Sequence, residues 1–224
     1  MGPATKEPQY QGMVEQAAEL ESLGLMTSFA FDDDPKRLTF TFSRYKFVAK
    51  LLAGREHVLE VGCADAFATR IVRQEVRALS ALDFDPLFIA DAKKRMNPRW
   101  AFDAFVHDML SGPVPGSYDG IYALDVLEHI DQDKEDLFLA NMLSALAPHG
   151  VVILGMPSLE SQLYASKLSK EGHVNCKTQP DFQKLMQKYF HTVFMFAMND
   201  EVVHTGYHKM AHYLFAVCAD RRVS

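Results

Sequence analysis

Four apolar runs in the chain end on residues able to bind a ligand or move a proton. The run His57-Val58-Leu59-Glu60-Val61-Gly62 leads into Cys63-Ala64-Asp65-Ala66. Small residues after a buried strand let a ligand approach the backbone, and the following helix offers free N–H groups. Asp83 lies 21 positions after Gly62, near the end of the run Ala78 to Phe84. A carboxylate there is placed to accept hydrogen bonds from a ribose diol. The competing role, capping the next helix, suits Asp85 better because it directly precedes Pro86, and that leaves Asp83 free. In Val106-His107-Asp108-Met109-Leu110, an acid and a pliant apolar neighbour could hold the amino group and flat face of an adenine. The competing reading of Asp108 is a turn. The fourth run, Tyr118 to Leu124, is followed by Asp125, Glu128 and His129, an acid-and-imidazole cluster.

A second chemical concentration lies late in the chain. Of nine histidines, five follow residue 170: His173, His191, His204, His208 and His212. His173 and Asn175 lie in a long segment after Pro157. Asp200, Glu201, His204, Tyr207 and His208 lie in a polar loop running from Asn199 to Lys209. Core packing does not explain a set in polar loops, so the expectation is a substrate pocket. No metal site is read here. His204, His208 and His212 would share one face of a helix, but Gly206 and the aromatic alternation from Met210 onward read as loop and then strand. The three cysteines, Cys63, Cys176 and Cys218, form no CxxC pair.

These residues require a scaffold of alternating strands and helices. Strands are expected at 57–62, 78–84, 102–107, 118–124 and 151–156. Helices are expected at 15–25, 44–52, 66–76, 86–96 and 133–147, with a turn at 31–35. Strand–helix alternation predicts a parallel sheet with right-handed crossovers. The tail differs: a helix at 181–190 precedes two aromatic-rich strands, 191–198 and 210–218, joined as a hairpin. In an open sheet of this kind, ligands sit beyond the carboxyl ends of the parallel strands.

In this order and spacing, VLEVGCADAFATRIV, ALDFDPLFIADAKKR, FVHDML, YDGIYALDVLEHI and LSALAPHGVVILGMP closely resemble the five motifs of the class I S-adenosylmethionine (SAM)-dependent methyltransferases of bacterial small-molecule type. The resemblance covers residues 44–157. It implies an α/β, Rossmann-like, seven-stranded, mostly parallel sheet of order 3-2-1-4-5-7-6, its last strand antiparallel and helices on both faces. It also implies an N-terminal helical appendage at 1–43 and a domain at 44–224 carrying a small lid insertion around 157–178. The family's first motif is E-x-G-x-G-x-G, and Ala64 and Ala66 stand at the second and third glycine positions. Alanine restricts φ where glycine does not. By the resemblance, Glu60, Gly62, Cys63 and Ala64 form the cofactor loop, with Gly62 against the methionine part; Asp83 holds the ribose hydroxyls, and Phe84 joins the cofactor contacts. Asp108 and Met109 meet the adenine, Leu124 and Asp125 line the methionyl end, and Arg44 pairs with the cofactor carboxylate.

A nicotinamide dehydrogenase is the rival for such a scaffold. It would need G-x-G-x-x-G, and Asp65 would face its pyrophosphate with a like charge. A sulfonium tolerates that acid. The expected reaction is methyl transfer from SAM to a small polar acceptor, favouring the hydroxyl of a saccharide or natural-product intermediate. Candidate bases are His173 and His204, then His129. Candidate acceptor contacts are Asn175, Asp200, Glu201, Tyr207 and His208. The alternatives are an N-methyltransferase or a SAM-binding module without catalysis. A net charge of −6 argues against a nucleic-acid partner. The absence of a long apolar run argues against a membrane one. The sparse cysteines fit a cytoplasmic protein, with a homodimer as the expected assembly state if it self-associates.

Overall fold

The computed structural model describes residues 5–16 and 21–222. In chain order, α1 (Gln11–Gln16), α2 (Leu25–Asp33) and α3 (Lys36–Leu51) precede β1 (His57–Val61). Then follow α4 (Thr69–Arg73), β2 (Ala78–Asp83), α5 (Pro86–Lys94), β3 (Asp103–Val106) and β4 (Tyr118–Leu124). Next come α6 (Glu135–Ser144), β5 (Leu146–Pro157), α7 (Lys167–Gly172) and α8 (Gln179–Gln187), and finally β6 (Phe190–Asn199), β7 (Val202–His204) and β8 (Tyr213–Arg221). Among the described residues no helix is long and apolar enough to cross a membrane.

The strands form one sheet in the order β3-β2-β1-β4-β5-β8-β6-β7. β1 pairs in parallel with β2 and β4, β2 with β3, and β4 with β5. β8 enters antiparallel between β5 and β6, so β6 runs parallel to the first five strands. This is the expected Rossmann-like arrangement, with one strand more than the seven expected. The eighth is β7, which folds back antiparallel on β6 and converts the start of the polar loop into an edge hairpin.

Strand alternation places side chains on both faces of the sheet. Leu59, Val61, Ile121 and Leu154 pack into one core with Phe138, Leu139 and Met142 of α6 and Phe182 and Met186 of α8. Val58, Tyr122 and Ile153 pack into the other with Val48 and Leu52 at the end of α3, Val72 of α4 and Ile89 of α5. Two buried layers explain why the central strands read as nearly continuous apolar runs.

The differences from expectation have local causes. The helix expected at 66–76 shrinks to α4; it cannot start at Ala66, whose φ of +53° no right-handed helix accommodates, and it ends at Arg73. The helix expected at 44–52 begins instead at Lys36, directly after Pro35, so position 43/44 falls inside α3. Of the helix expected at 15–25, Glu15 lies in α1, residues 21–24 are not helical, and 17–20 fall outside the described residues. As expected, Asp85 caps α5, accepting a hydrogen bond from the Leu87 N–H at 2.8 Å.

Candidate functional site

The loop after β1 carries three left-handed residues in alternation: Gly62 at φ +76°, Ala64 at +46° and Ala66 at +53°. The backbone therefore follows a three-glycine path with two alanines in it. Gly62 itself has no substitute. A Cβ there would come within 2.3 Å of Val126 Cγ2, so the position needs both its left-handed φ and its missing side chain.

Two acids hold this loop. Asp83, at the carboxyl end of β2, is buried and accepts from the Ala64 N–H at 2.8 Å and the Asp85 N–H at 2.9 Å. Each oxygen keeps a further lone pair, so the carboxylate can still accept two hydroxyls. Glu60 lies deeper. Its carboxyl accepts from the Tyr45 and Thr69 hydroxyls, each at 2.6 Å, and burial pushes its pKa up while those hydroxyls offset part of the rise. Glu60 thus binds α3 and α4 to β1 from inside the sheet. Cys63 is buried beside Glu60 and Asp83, and burial raises its thiol pKa strongly.

Asp65 ties the loop to the N-terminal segment, accepting from the Phe67 N–H at 3.2 Å on its own side. Its carboxylate accepts from the Thr27 N–H at 2.7 Å and the Thr27 hydroxyl at 3.0 Å, capping α2 from 38 positions along the chain. The N-terminal segment is thereby fixed against the first loop, and Asp65 is not available to face a ligand. Phe84, directly after Asp83, is 73% exposed. Asp108 is exposed and accepts from the Leu110 N–H at 2.8 Å, the turn role that competed with adenine binding. Met109 is buried in the core, its carbonyl accepting from the Asn141 amide at 2.7 Å.

At the end of β4, Leu124 is buried and Asp125 takes φ +57°. Arg44 of α3 grips Asp125 in a two-pronged ion pair, Nη1 lying 3.0 and 2.8 Å from the two carboxylate oxygens. The guanidinium also sits 3.8 Å from the ring centroid of Tyr213, a cation–π contact. Arg44 Nε is buried without a partner. A cation and an anion held side by side, with a guanidinium N–H to spare, match the zwitterionic end of an amino acid.

Two residues beyond Asp125, the chain makes a short turn, Leu127–His129, and the inserted segment closes on it. The Glu128 carbonyl accepts from the N–H groups of Val174 at 2.8 Å and Asn175 at 3.0 Å. This brings His173 beside His129, ring centroids 5.2 Å apart and edge to face. One ring nitrogen of each histidine and one Glu128 oxygen lie within 4.8 Å of one another. Glu128 is 0% exposed, and neither carboxylate oxygen has a hydrogen-bond partner. Burial pushes its pKa well above the usual carboxylate range. The Asp125 charge adds to that rise, and Arg44 offsets part of it. The His173 imidazole is pushed below its ordinary value by burial and then by the charge of His129.

Of the remaining candidates, Asn175 and His204 are tied into the scaffold. Asn175 is buried, donating to Glu135 at 2.9 Å and accepting from Lys177 at 2.9 Å. With the Lys177–Glu135 ion pair at 2.7 Å, this polar group pins the insertion to α6. His204 has both ring nitrogens in local contacts, Nε2 with Asn199 Oδ1 at 2.7 Å and Nδ1 accepting from the Gly206 N–H at 2.9 Å. Asp200 forms the β6–β7 turn with a left-handed φ of +48°, Glu201 and Tyr207 are exposed, and His208 begins a short 3-10 turn. His191, at the start of β6, lies at the opposite end of the sheet from the crevice. The sequence reading passed over Tyr213, which nothing but its place on the returning strand could have signalled. It also left Glu128 in the shadow of His129, although the adjacency of the two was visible.

Residues 58–150 match the family model described as a methyltransferase domain. Over 101 residues the chain is 24% identical to a mitochondrial ubiquinone biosynthesis O-methyltransferase of Schizosaccharomyces pombe, covering 43% of this chain and 36% of the relative. Over 115 residues it is 28% identical to a probable S-adenosylmethionine-dependent methyltransferase of Mycolicibacterium smegmatis, covering 51% of this chain and 42% of the relative. The chain thus matches less than half the length of each of these curated relatives. Among solved structures, the fold is similar to that of the N-methyltransferase NodS of Bradyrhizobium japonicum in complex with S-adenosyl-L-homocysteine (SAH). The TM-score is 0.64 at 18% identity, covering 96% of this chain and 99% of that one.

Proposed function

We propose that this chain, whose residues 58–150 match a methyltransferase domain, moves a methyl group from SAM to an oxygen of a small polar metabolite. The observation that carries the cofactor assignment is the left-handed loop 62–66 tied to Asp83, with the Arg44–Asp125 pair at the next strand end. When bound, SAM supplies an electrophilic methyl on a sulfonium. Asp83 accepts the ribose hydroxyls through its spare lone pairs, and Phe84 flanks them. Arg44 and Asp125 take the carboxylate and ammonium of the methionyl end. The catalytic task is alignment and exclusion of water, since the displacement is in line.

The acceptor oxygen belongs above Glu128, His129 and His173, a polar group built from the turn after Asp125 and from the inserted segment. An oxygen acceptor must lose a proton, and these imidazoles are oriented to receive it. His129 Nδ1 lies 2.9 Å from the Gly172 carbonyl oxygen, which only accepts, so Nδ1 carries the proton and Nε2 the lone pair. His173 Nδ1 lies 2.8 Å from Gln162 Oε1, which sets the same tautomer. His173 is the base in this reading. Calorimetry with SAM and SAH, followed by methyl transfer from labelled SAM to a panel of hydroxylated and aminated metabolites, tests it. Labelled ethers from hydroxyl acceptors are the expected products. Labelled amines alone would move the acceptor to nitrogen. Tight SAH binding with no product on any acceptor would leave a binding module.

A further inference from the structure

We propose that Glu128, His129 and His173 hold one divalent transition-metal ion, which engages the acceptor hydroxyl. The inference rests on the reading of the site given above and replaces its proton step. Three observations carry it. First, one donor atom from each residue falls within 4.8 Å of the other two, the compact spread that a shared ion requires. Second, Glu128 is fully buried, and both its oxygens lack any hydrogen-bond partner. A buried carboxylate in that condition is costly unless a cation faces it. Arg44, the nearby guanidinium, directs its Nη1 bonds to Asp125 instead. Third, each imidazole has its Nδ1 against a carbonyl oxygen, of Gly172 or of Gln162. That is the outer contact that turns Nε2 into a ligand and fixes the ring.

Two imidazoles and one carboxylate suit manganese, iron, cobalt or zinc better than magnesium or calcium. Three protein ligands leave positions open for water and for a substrate oxygen. His129 is exposed, so the group is reached from the crevice side without unfolding. Coordination lowers the pKa of the acceptor hydroxyl, and its proton passes to water. The oxygen then forms its bond to the methyl carbon as the carbon–sulfur bond breaks. The products are an ether and a neutral thioether, and the ion is unchanged in charge. The imidazoles act as ligands in this scheme and take no proton.

The test uses the full chain, freed of metal by chelation and titrated with Co²⁺, following visible absorption and heat. The expected result is one saturable equivalent per chain with imidazole-type bands. Glu128→Gln and His173→Gln should each weaken it about 10-fold or more, since loss of a direct ligand costs at least what loss of an outer contact does. His173 is only partly buried on the inserted segment, so its variant keeps the proposal testable if the Glu128 variant fails to fold. Absence of a saturable site, or equal binding by wild type and His173→Gln, would overturn the proposal and leave the histidine base in place. SAH binding is measured on the same preparation. Its loss would strike the cofactor reading instead, whatever Co²⁺ does.

Discussion

At Ala64 and Ala66 the backbone holds φ values of +46° and +53°, where an L side chain is strained and glycine is not. Ala66→Gly is therefore expected to stabilise the protein by about 1 kcal/mol, the reverse of the usual cost of placing alanine at positive φ. For a chain of this size that is roughly 2–4 °C in melting temperature, read by calorimetry. A lower melting temperature would mean that the loop does not hold this conformation in solution. Asp83 serves both the loop and the proposed ribose. Asp83→Ala should weaken SAH binding by about 1.5–3 kcal/mol, the worth of a lost charge-assisted hydrogen bond, as measured by titration calorimetry. Unchanged affinity would remove Asp83 from the cofactor site.

Helix α2 owes its start to Asp65, which belongs to another element. Asp65→Ala removes the acceptor for both the Thr27 N–H and the Thr27 hydroxyl. Loss of such a cap costs about 0.5–2 kcal/mol, and hydrogen exchange should accelerate most at the first turn of α2. Uniform exchange across the chain would show that α2 is held by something other than this cap. Between β5 and β8, Gly155 makes room for Tyr213. A Cβ at 155 would lie 2.7 Å from Tyr213 Oη and 2.8 Å from Leu124 Cδ2. Gly155→Ala should cost about 1–3 kcal/mol in denaturant unfolding, as overpacking does. It should also weaken SAH binding, because the displaced ring is the one on which Arg44 rests. A loss of stability with full affinity would uncouple Tyr213 from the cofactor end.

For the whole molecule, folding is linked to acid through His212. Burial and then the charge of Arg44 push its pKa below 6.5, while Asp200 opposes. Its Nε2 is buried without a partner, and its ring lies 5.6 Å from Phe40. The unfolded chain therefore takes up this proton at higher pH than the native chain. Stability from this group is fully present above pH about 6.5 and declines as pH falls below it, levelling off under the native pKa. His212→Asn should flatten that part of the stability–pH profile, measured by urea unfolding at a series of pH values. An unchanged slope would assign it to other groups.

Only through the motif resemblance was the strand order implied; the amino-acid sequence by itself determined the α/β alternation, the antiparallel return and the acids at the strand ends. These follow from periodicity and turn chemistry, which act over a few residues: Tyr118–Leu124 was legible to both ends. β7 was not, because a three-residue strand exists only where an edge is there to pair with. Tertiary structure alone decided how the polar side chains pair. It joined Arg44 to Asp125, turned Asp65 onto Thr27, occupied His204 and Asn175, and left Glu128 facing His129 and His173. Those pairs lie up to 81 positions apart. Which partner a side chain meets is set by where crossovers deliver the backbone and by the left-handed φ at Asp125, and neither is written in local pattern.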